Sequence, residues 1–396
     1  MDDVAALSRI TSARFRVVAA CGLGSFMAAL STNLVNISAP VIARDLGLGP
    51  GQISRIFTVY LIAITVLLPI FGHLGDVMGS KRVFVTGFAA FGIAALFCAR
   101  AGGLTALTIA RGFQGAGASM LMANGAAIVI RAFPPTHRAR ALGLQLSLTY
   151  VGLVLGPTLG GVLVVAVGWR AIFVVLAGVA ALGTLLGFLW LENESEGAKK
   201  RASAFSAFPF ELFRDTSFVM GIAGALVLYA TTFMISFALP FQLQHARGIS
   251  PHEAGLLMTP QPAMMAVVAP IGGWLADRFG PRSPCAMGMC AVAGGCLLLP
   301  PAANHGALAI MSALALIGLG AGIFIAPNNA SIMGAAPKER QSTAAAAAAM
   351  ARNIGMTCGV ALAAALLQRT GEFRSVMLAC ATLALVGSAI ASAPRI

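Results

Sequence analysis

Charge is scarce in this chain. Asp, Glu, Lys and Arg together make up 10% of its 396 residues, against 58% hydrophobic residues. A soluble domain carries about 25% charged residues, so this chain cannot cover itself with a water-compatible surface. That excludes a soluble enzyme, a nucleic-acid-binding domain and a disordered protein. The acids are scarcer still, 13 Asp and Glu against 26 Lys and Arg. The seven cysteines all fall in apolar stretches with no CxxC and no His beside them, so they are expected as packing residues, with no metal site and no cofactor. No glycine-rich phosphate loop precedes a lysine, so nucleotide hydrolysis is not expected either. What remains is a polytopic membrane protein.

A membrane-crossing helix needs about 20 mostly apolar residues. Twelve such runs are predicted: 16–40, 53–75, 83–101, 104–129, 140–164, 170–191, 217–241, 254–276, 284–302, 307–330, 342–367 and 373–392. An even number puts both termini on one face. With that face cytoplasmic, seventeen Lys and Arg fall in inner loops and seven in outer ones, while Arg111 and Arg352 lie within spans. That asymmetry orients the chain with both ends in the cytoplasm. Trp169, Trp190 and Trp274 fall at span ends, where amphipathic rings favour the headgroup level. No cleavable leader is expected, because Met1–Thr11 is polar and the apolar run that follows is too long. The longest polar stretch, 192–216, divides the chain into bundles at 1–191 and 217–396. Phe205, Phe208 and Phe213 in that stretch fit either a short surface helix or a solvated linker.

The two halves echo each other. Gly72-x-Leu74-x-Asp76-x-x-Gly79 returns as Gly273-x-Leu275-x-Asp277-x-x-Gly280, offset by 201 residues. Gly115-x-Gly117 and Pro134 return as Gly318-x-Gly320 and Pro337, offset by 203. A common offset near half the chain length implies a duplicated six-helix unit. Parallel repeats of this kind are an architecture of transporters with a midplane site. The predicted fold class is therefore all-α: twelve transmembrane helices in two pseudo-symmetric six-helix bundles.

Four local signatures carry a resemblance. The loop after span 2 reads Gly72-x-Leu74-Gly75-Asp76-x-x-Gly79-x-Lys81-Arg82, and span 4 reads Leu107-Thr-Ile-Ala-Arg111-Gly112-Phe-Gln114-Gly115. Span 5 carries Gly143, then Gly152-x-x-x-Gly156-Pro157-x-x-Gly160-Gly161, and span 1 carries Asn33-Leu-Val-Asn36-Ile-Ser-Ala-Pro40. Together these resemble the major facilitator superfamily, most closely its drug:proton antiporters with fourteen spans. The sequence departs from that subfamily in having twelve spans, in Ser31 where an Asp is common, and in Arg55 where a Trp is usual.

The resemblance implies that Asp76 faces the start of span 11 and latches the outward-open state, with Gly72, Gly79, Lys81 and Arg82 around it and Gly273, Asp277 and Gly280 as the repeat copy. A solvated loop charge is the alternative. Gly152, Gly156 and Gly160 recur every four residues, which makes a flat stripe for close helix packing, and Pro157 bends the span. This reads as a gating contact between spans 5 and 8, where Pro260, Pro262 and Pro270 also bend the chain, or as packing alone. Arg111 costs at least ~2.5–3.5 kcal/mol inside a span, so it is expected to line a cavity or to pair. Gln114 shares its face, and Asn124 lies deeper along the same span. Arg352 opens span 11 near the cytoplasmic end, from which it can snorkel. Asn33, Asn36, Tyr60, Gln145, Tyr150, Tyr229, Gln261 and Asn328 complete the candidate cavity contacts, or else bond helix to helix. Met234, Met258, Met264, Met265 and Phe233 add adaptable apolar surface.

All thirteen acids fall in loops or at span ends. The cavity thus lacks the carboxylate that couples protons or attracts a cation most simply. The expected function is proton-linked efflux of amphiphilic small molecules, an antiporter of multidrug-resistance type in the inner membrane, cycling as a rocker switch. The alternative is a transporter of an anionic metabolite or lipid held by Arg111; a non-transporting sensor is more remote. No enzyme activity is expected. The expected partners are a small molecule, protons and the lipid bilayer, with no nucleic acid, and the chain is expected to be a monomer.

Overall fold

The computed structural model describes residues 2–192, 212–337 and 340–392. Twelve of its helices are long and apolar enough to cross a membrane. In the first half they are α1 (Arg14–Asp45), α2 (Pro50–Met78), α3 (Ser80–Arg100), α4 (Leu104–Ala132), α5 (Arg140–Ala166) and α6 (Arg170–Trp190). In the second they are α7 (Thr216–Ala246), α8 (Pro251–Phe279), α9 (Arg282–His305), α10 (Ala307–Ala335), α11 (Thr343–Thr370) and α12 (Phe373–Ser392). Each overlaps its predicted span. Most of the stretch between the halves, with Phe205 and Phe208, lies outside the described residues. Phe213 stacks edge-on against Phe218 at the start of α7, with centroids 5.3 Å apart.

Helices satisfy their own backbone hydrogen bonds, which is what lipid demands. Their outer faces are correspondingly apolar: Phe97, Phe113, Val165, Phe188 and Leu308 are all exposed. In water these would be aggregation sites, whereas against acyl chains they cost nothing.

The duplication is visible in the packing. In the first half α1 packs on α5, α2 on α4, and α3 on both α4 and α6. In the second, α7 packs on α11, α8 on α10, and α9 on both α10 and α12. Individual residues repeat as well. Gly115 lets α4 approach the Tyr60 backbone of α2, and Gly318 lets α10 approach the Gln261 backbone of α8. The turn after α2 needs Gly79 at φ +99°, and the turn after α8 needs Gly280 at φ +74°. Side chains rarely adopt that left-handed conformation, which accounts for glycine at both places.

The halves meet through α2 against α11, α5 against α8, and α1 against α7. The hydrogen bonds that join them lie toward the face opposite the termini. Gln244 Nε2 at the end of α7 donates to the Ile37 carbonyl of α1 at 2.8 Å. The Thr158 and Thr259 hydroxyls of α5 and α8 pair at 2.9 Å. Phe57 and Phe237 meet edge-to-face nearby, 5.6 Å apart.

Candidate functional site

The glycine-rich face of α5 does not separate the halves. A Cβ on Gly152 would meet the Phe26 carbonyl at 2.6 Å, and one on Gly156 would meet Asn33 Cβ at 2.5 Å; Gly160 faces Leu34 and Ile37. All of these neighbours belong to α1, so the expectation that the stripe packs on span 8 is corrected. Small residues let α1 and α5 close within one bundle. The same device recurs in α11, where Gly355 and Gly359 face the Leu226 and Ala230 carbonyls of α7. The contact with α8 is made on another side of α5, by Gly161 against Pro251 and His252 and by the Pro157 carbonyl against Gly255. Gly143 is exposed and has open space around it.

Asp76 also differs from expectation. It accepts from Arg131 Nη2 at 3.1 Å, while Arg131 Nη1 donates to Ser80 Oγ at 2.9 Å. The carboxylate thus ties the ends of α2 and α4 to the start of α3, within its own half. Among the described residues no hydrogen bond or ion pair joins Asp76 to the other bundle. Lys81 sits over the Phe188 ring at 5.8 Å, and Arg82 is exposed. Asp277 forms no described ion pair; its neighbour Arg278 lies over Trp274 at 5.6 Å. Gly72 and Gly273 face Ala123 and Ala326, one a copy of the other.

Arg111 does not line a cavity. It is 1% exposed, enclosed by α1, α2 and α4. Its Nε donates to the Ile56 carbonyl at 3.2 Å, and Nη1 donates to Gln114 Oε1 at 2.6 Å and Ser31 Oγ at 3.4 Å. The guanidinium lies 3.9 Å from the Tyr60 ring centroid. Carbonyl dipoles and an aromatic face thus stand where a counter-ion would otherwise be required. Of the two readings, cavity lining or pairing, the structure shows pairing, with Gln114 one turn along the same helix.

Four other polar candidates also bond helix to helix. Asn33 Nδ2 reaches the Leu153 carbonyl at 2.9 Å, and Gln145 Nε2 reaches Ser25 at 3.0 Å, both joining α5 to α1. Asn124 Nδ2 donates to the Phe71 carbonyl at 3.1 Å, and Asn328 Nδ2 to the Gly221 carbonyl at 3.0 Å. Interhelical bonds of this kind average about 0.6 kcal/mol, so they set rotation more than stability. Asn36 is buried, and neither of its amide atoms has a hydrogen-bond partner among the described residues. Gln261 is buried in α8, and Met234 and Met258 belong to the core. Trp169 is buried too, donating from Nε1 to Asp45 at 2.9 Å rather than sitting among headgroups.

Three candidates do come together between the halves. Tyr150 of α5 interacts electrostatically with both Tyr229 of α7 and Arg352 of α11. Arg352 lies 6.0 Å from the Tyr229 ring centroid. Tyr150 lines a cavity of about 310 Å³ with Ser147, Val151, Val154 and Leu155 of α5 and Ala266 of α8. Arg352 is nine residues inside α11, or about 14 Å at 1.5 Å per residue. It therefore sits about a third of the way along the helix rather than at its end.

Two repeated bundles around a mid-depth cavity define a membrane transporter. The chain belongs to the Major Facilitator Superfamily, whose model matches residues 21–229 and 221–394. It is 30% identical over 389 residues to the riboflavin transporter RibZ of Clostridioides difficile, covering 86% of this chain and 85% of that protein. It is 29% identical over 397 residues to the multidrug resistance protein Stp of Mycobacterium tuberculosis, covering 87% of this chain and 74% of that one. Its fold matches a bacterial homologue of the lysosomal transporter Spinster, solved inward-facing and unoccupied. That match has a TM-score of 0.80 at 16% identity and covers 96% of each chain.

Proposed function

We propose that the protein is a secondary transporter that exports amphiphilic small molecules against a proton gradient, with both termini in the cytoplasm. The bundles near 1–191 and 217–396 rock about the α2–α11 and α5–α8 contacts. The observation that carries this reading is the cavity of about 310 Å³ beside Tyr150 at the bundle interface, at the low end of the ~300–1,000 Å³ of ligand sites. The span-5 motif, resembling that of antiporters, supports export, and the names of the relatives support both drugs and metabolites as cargo. With Asp76 paired to Arg131 and the halves joined at the opposite face, this state opens toward the termini, where an exporter loads. The Asp76 latch to α11 belongs to the opposite state of the cycle. Among the described residues the acids within the helices lie near their ends, so the proton is carried at such a site or by the substrate itself.

The test is uptake into proteoliposomes with an imposed pH gradient, screening anionic, neutral and cationic dyes. Gradient-dependent accumulation that a protonophore abolishes is expected. Equal accumulation with and without the gradient would remove proton coupling, and none with any dye would remove the export reading.

A further inference from the structure

Arg352 lies about a third of the way along α11, half-buried, and among the described residues neither a carboxylate nor a hydrogen-bond acceptor pairs with it. Arg111, by contrast, has three acceptors and an aromatic face to itself. An unpaired charge at this depth usually lines a water-filled cavity and marks a substrate path. The neighbouring Asn353 adds a buried Nδ2 donor that also lacks an acceptor.

The surroundings narrow the chemistry. Tyr229 offers a ring 6.0 Å from the guanidinium, and Tyr150 lines the cavity from the other half. Of the three tyrosines in the chain, two are here. A guanidinium stacks on aromatic faces and also binds carboxylate or sulfonate oxygens through paired N–H donors. Tyrosine rings take up flat aromatic surface by offset stacking. The adjoining cavity wall, Val151, Val154, Leu155 and Ala266, is apolar. An acidic group on one edge of a flat apolar body would satisfy all of these at once.

We infer that Arg352, Tyr229 and Tyr150 form the charge-selective part of the substrate site, and that the substrate class is a planar aromatic anion. This rests on the transporter reading and specifies its cargo. Because Tyr150 comes from one half and Tyr229 and Arg352 from the other, such a ligand bridges the moving bodies. Binding is then coupled to their relative position, as alternating access requires.

The experiment is equilibrium binding to the full-length protein in lipid nanodiscs by fluorescence anisotropy. Two dyes share a xanthene ring system and differ in charge: fluorescein, an anion, and rhodamine 123, a cation. The expected result is saturable fluorescein binding at least tenfold tighter than rhodamine 123. Arg352→Gln should weaken fluorescein at least tenfold and leave rhodamine 123 unchanged or tighter. Arg352→Lys, which keeps the charge, should preserve the order of the two dyes, and Tyr229→Leu should weaken both. Should Arg352→Gln fail to fold, the wild-type ratio and the lysine variant decide. Equal affinities in the wild type, no saturable fluorescein binding, or an unchanged dye ratio in Arg352→Gln would overturn the inference. Gradient-driven transport of rhodamine 123 without fluorescein would also overturn it while leaving the transporter reading intact. Arg352-dependent fluorescein binding without transport of any dye would do the reverse.

Discussion

Two arginines lie inside spans of this protein, and the halves treat them in opposite ways. Arg111 is sealed within its bundle at 1% exposure, its Nε and Nη1 bonded to groups of α1, α2 and α4. Arg352 is half-buried at the boundary between bundles, with an aromatic neighbour and no acceptor among the described residues. The repeat duplicated the scaffold without duplicating every polar residue. At the offset of 203, Arg111 corresponds to Leu314 and Tyr150 to Asn353, whereas Gly152 and Gly156 of α5 correspond to Gly355 and Gly359 of α11. Backbone approach is a requirement of the fold and is kept in both copies. The arginine within a span is placed differently in each copy.

The largest effect that would break this comparison lies in the shared scaffold. Gly156→Leu should overpack α5 against Asn33 of α1 and cost upwards of about 3 kcal/mol, the top of the overpacking range. Gly355→Leu should do the same between α11 and α7. The check is folded yield and thermal midpoint in detergent; wild-type values for either variant would mean that the pairing of these helices is wrong. Next comes the contrast between the arginines. Arg111→Ala should lose about 2–3 kcal/mol, since hydrogen bonds from a charged group are worth about 1.5–3 kcal/mol. Arg352→Ala should cost less than about 1 kcal/mol, as expected where no buried network is broken. Similar melting shifts for the two would erase the distinction drawn here.

Gly161→Leu acts between the bundles rather than within one. It should lower the thermal midpoint and transport poorly, because its added bulk meets the Pro251 and His252 backbone where the halves close. Wild-type transport rates would show that this closure is dispensable. The smallest stability change is expected for Asp76→Asn. Its ion pair with Arg131 is half-exposed, and such pairs contribute about 0–1 kcal/mol. Its transport rate should nevertheless fall further than that of Asp277→Asn, which forms no described ion pair. Equal rates for the two variants would leave no special role for the first loop.

The twelve spans, the duplication and the glycine turns were all legible in the sequence. Apolar length sets a span, a fixed offset sets a repeat, and Gly79 and Gly280 have φ values that only glycine adopts readily. The rotation of each helix was not legible. In a soluble protein the apolar stripe marks the inward face, but here lipid and neighbouring helices are both apolar, so the pattern does not say which side meets which. That is why the pattern alone does not tell whether the α5 glycines face α8 or α1, nor which of the two candidate cavity arginines, Arg111 or Arg352, is enclosed by its own bundle. The signal that finds them is pairwise. Arg111 has Gln114 one turn on, able to occupy its donors, and Arg352 has no such partner on its own helix. Asp76 is a different case, since its contact with α11 is expected only when the termini-bearing ends close.

The claim that Arg352, and not Arg111, reads the charge of the substrate is tested most directly by transport selectivity. The measurement is the ratio of initial proton-driven rates for fluorescein and rhodamine 123 in one preparation of proteoliposomes. It compares wild type, Arg111→Lys and Arg352→Gln at matched amounts of folded protein. The account predicts a wild-type ratio favouring fluorescein, retained in Arg111→Lys and lost or inverted in Arg352→Gln. A ratio that collapses in Arg111→Lys and survives in Arg352→Gln would contradict it.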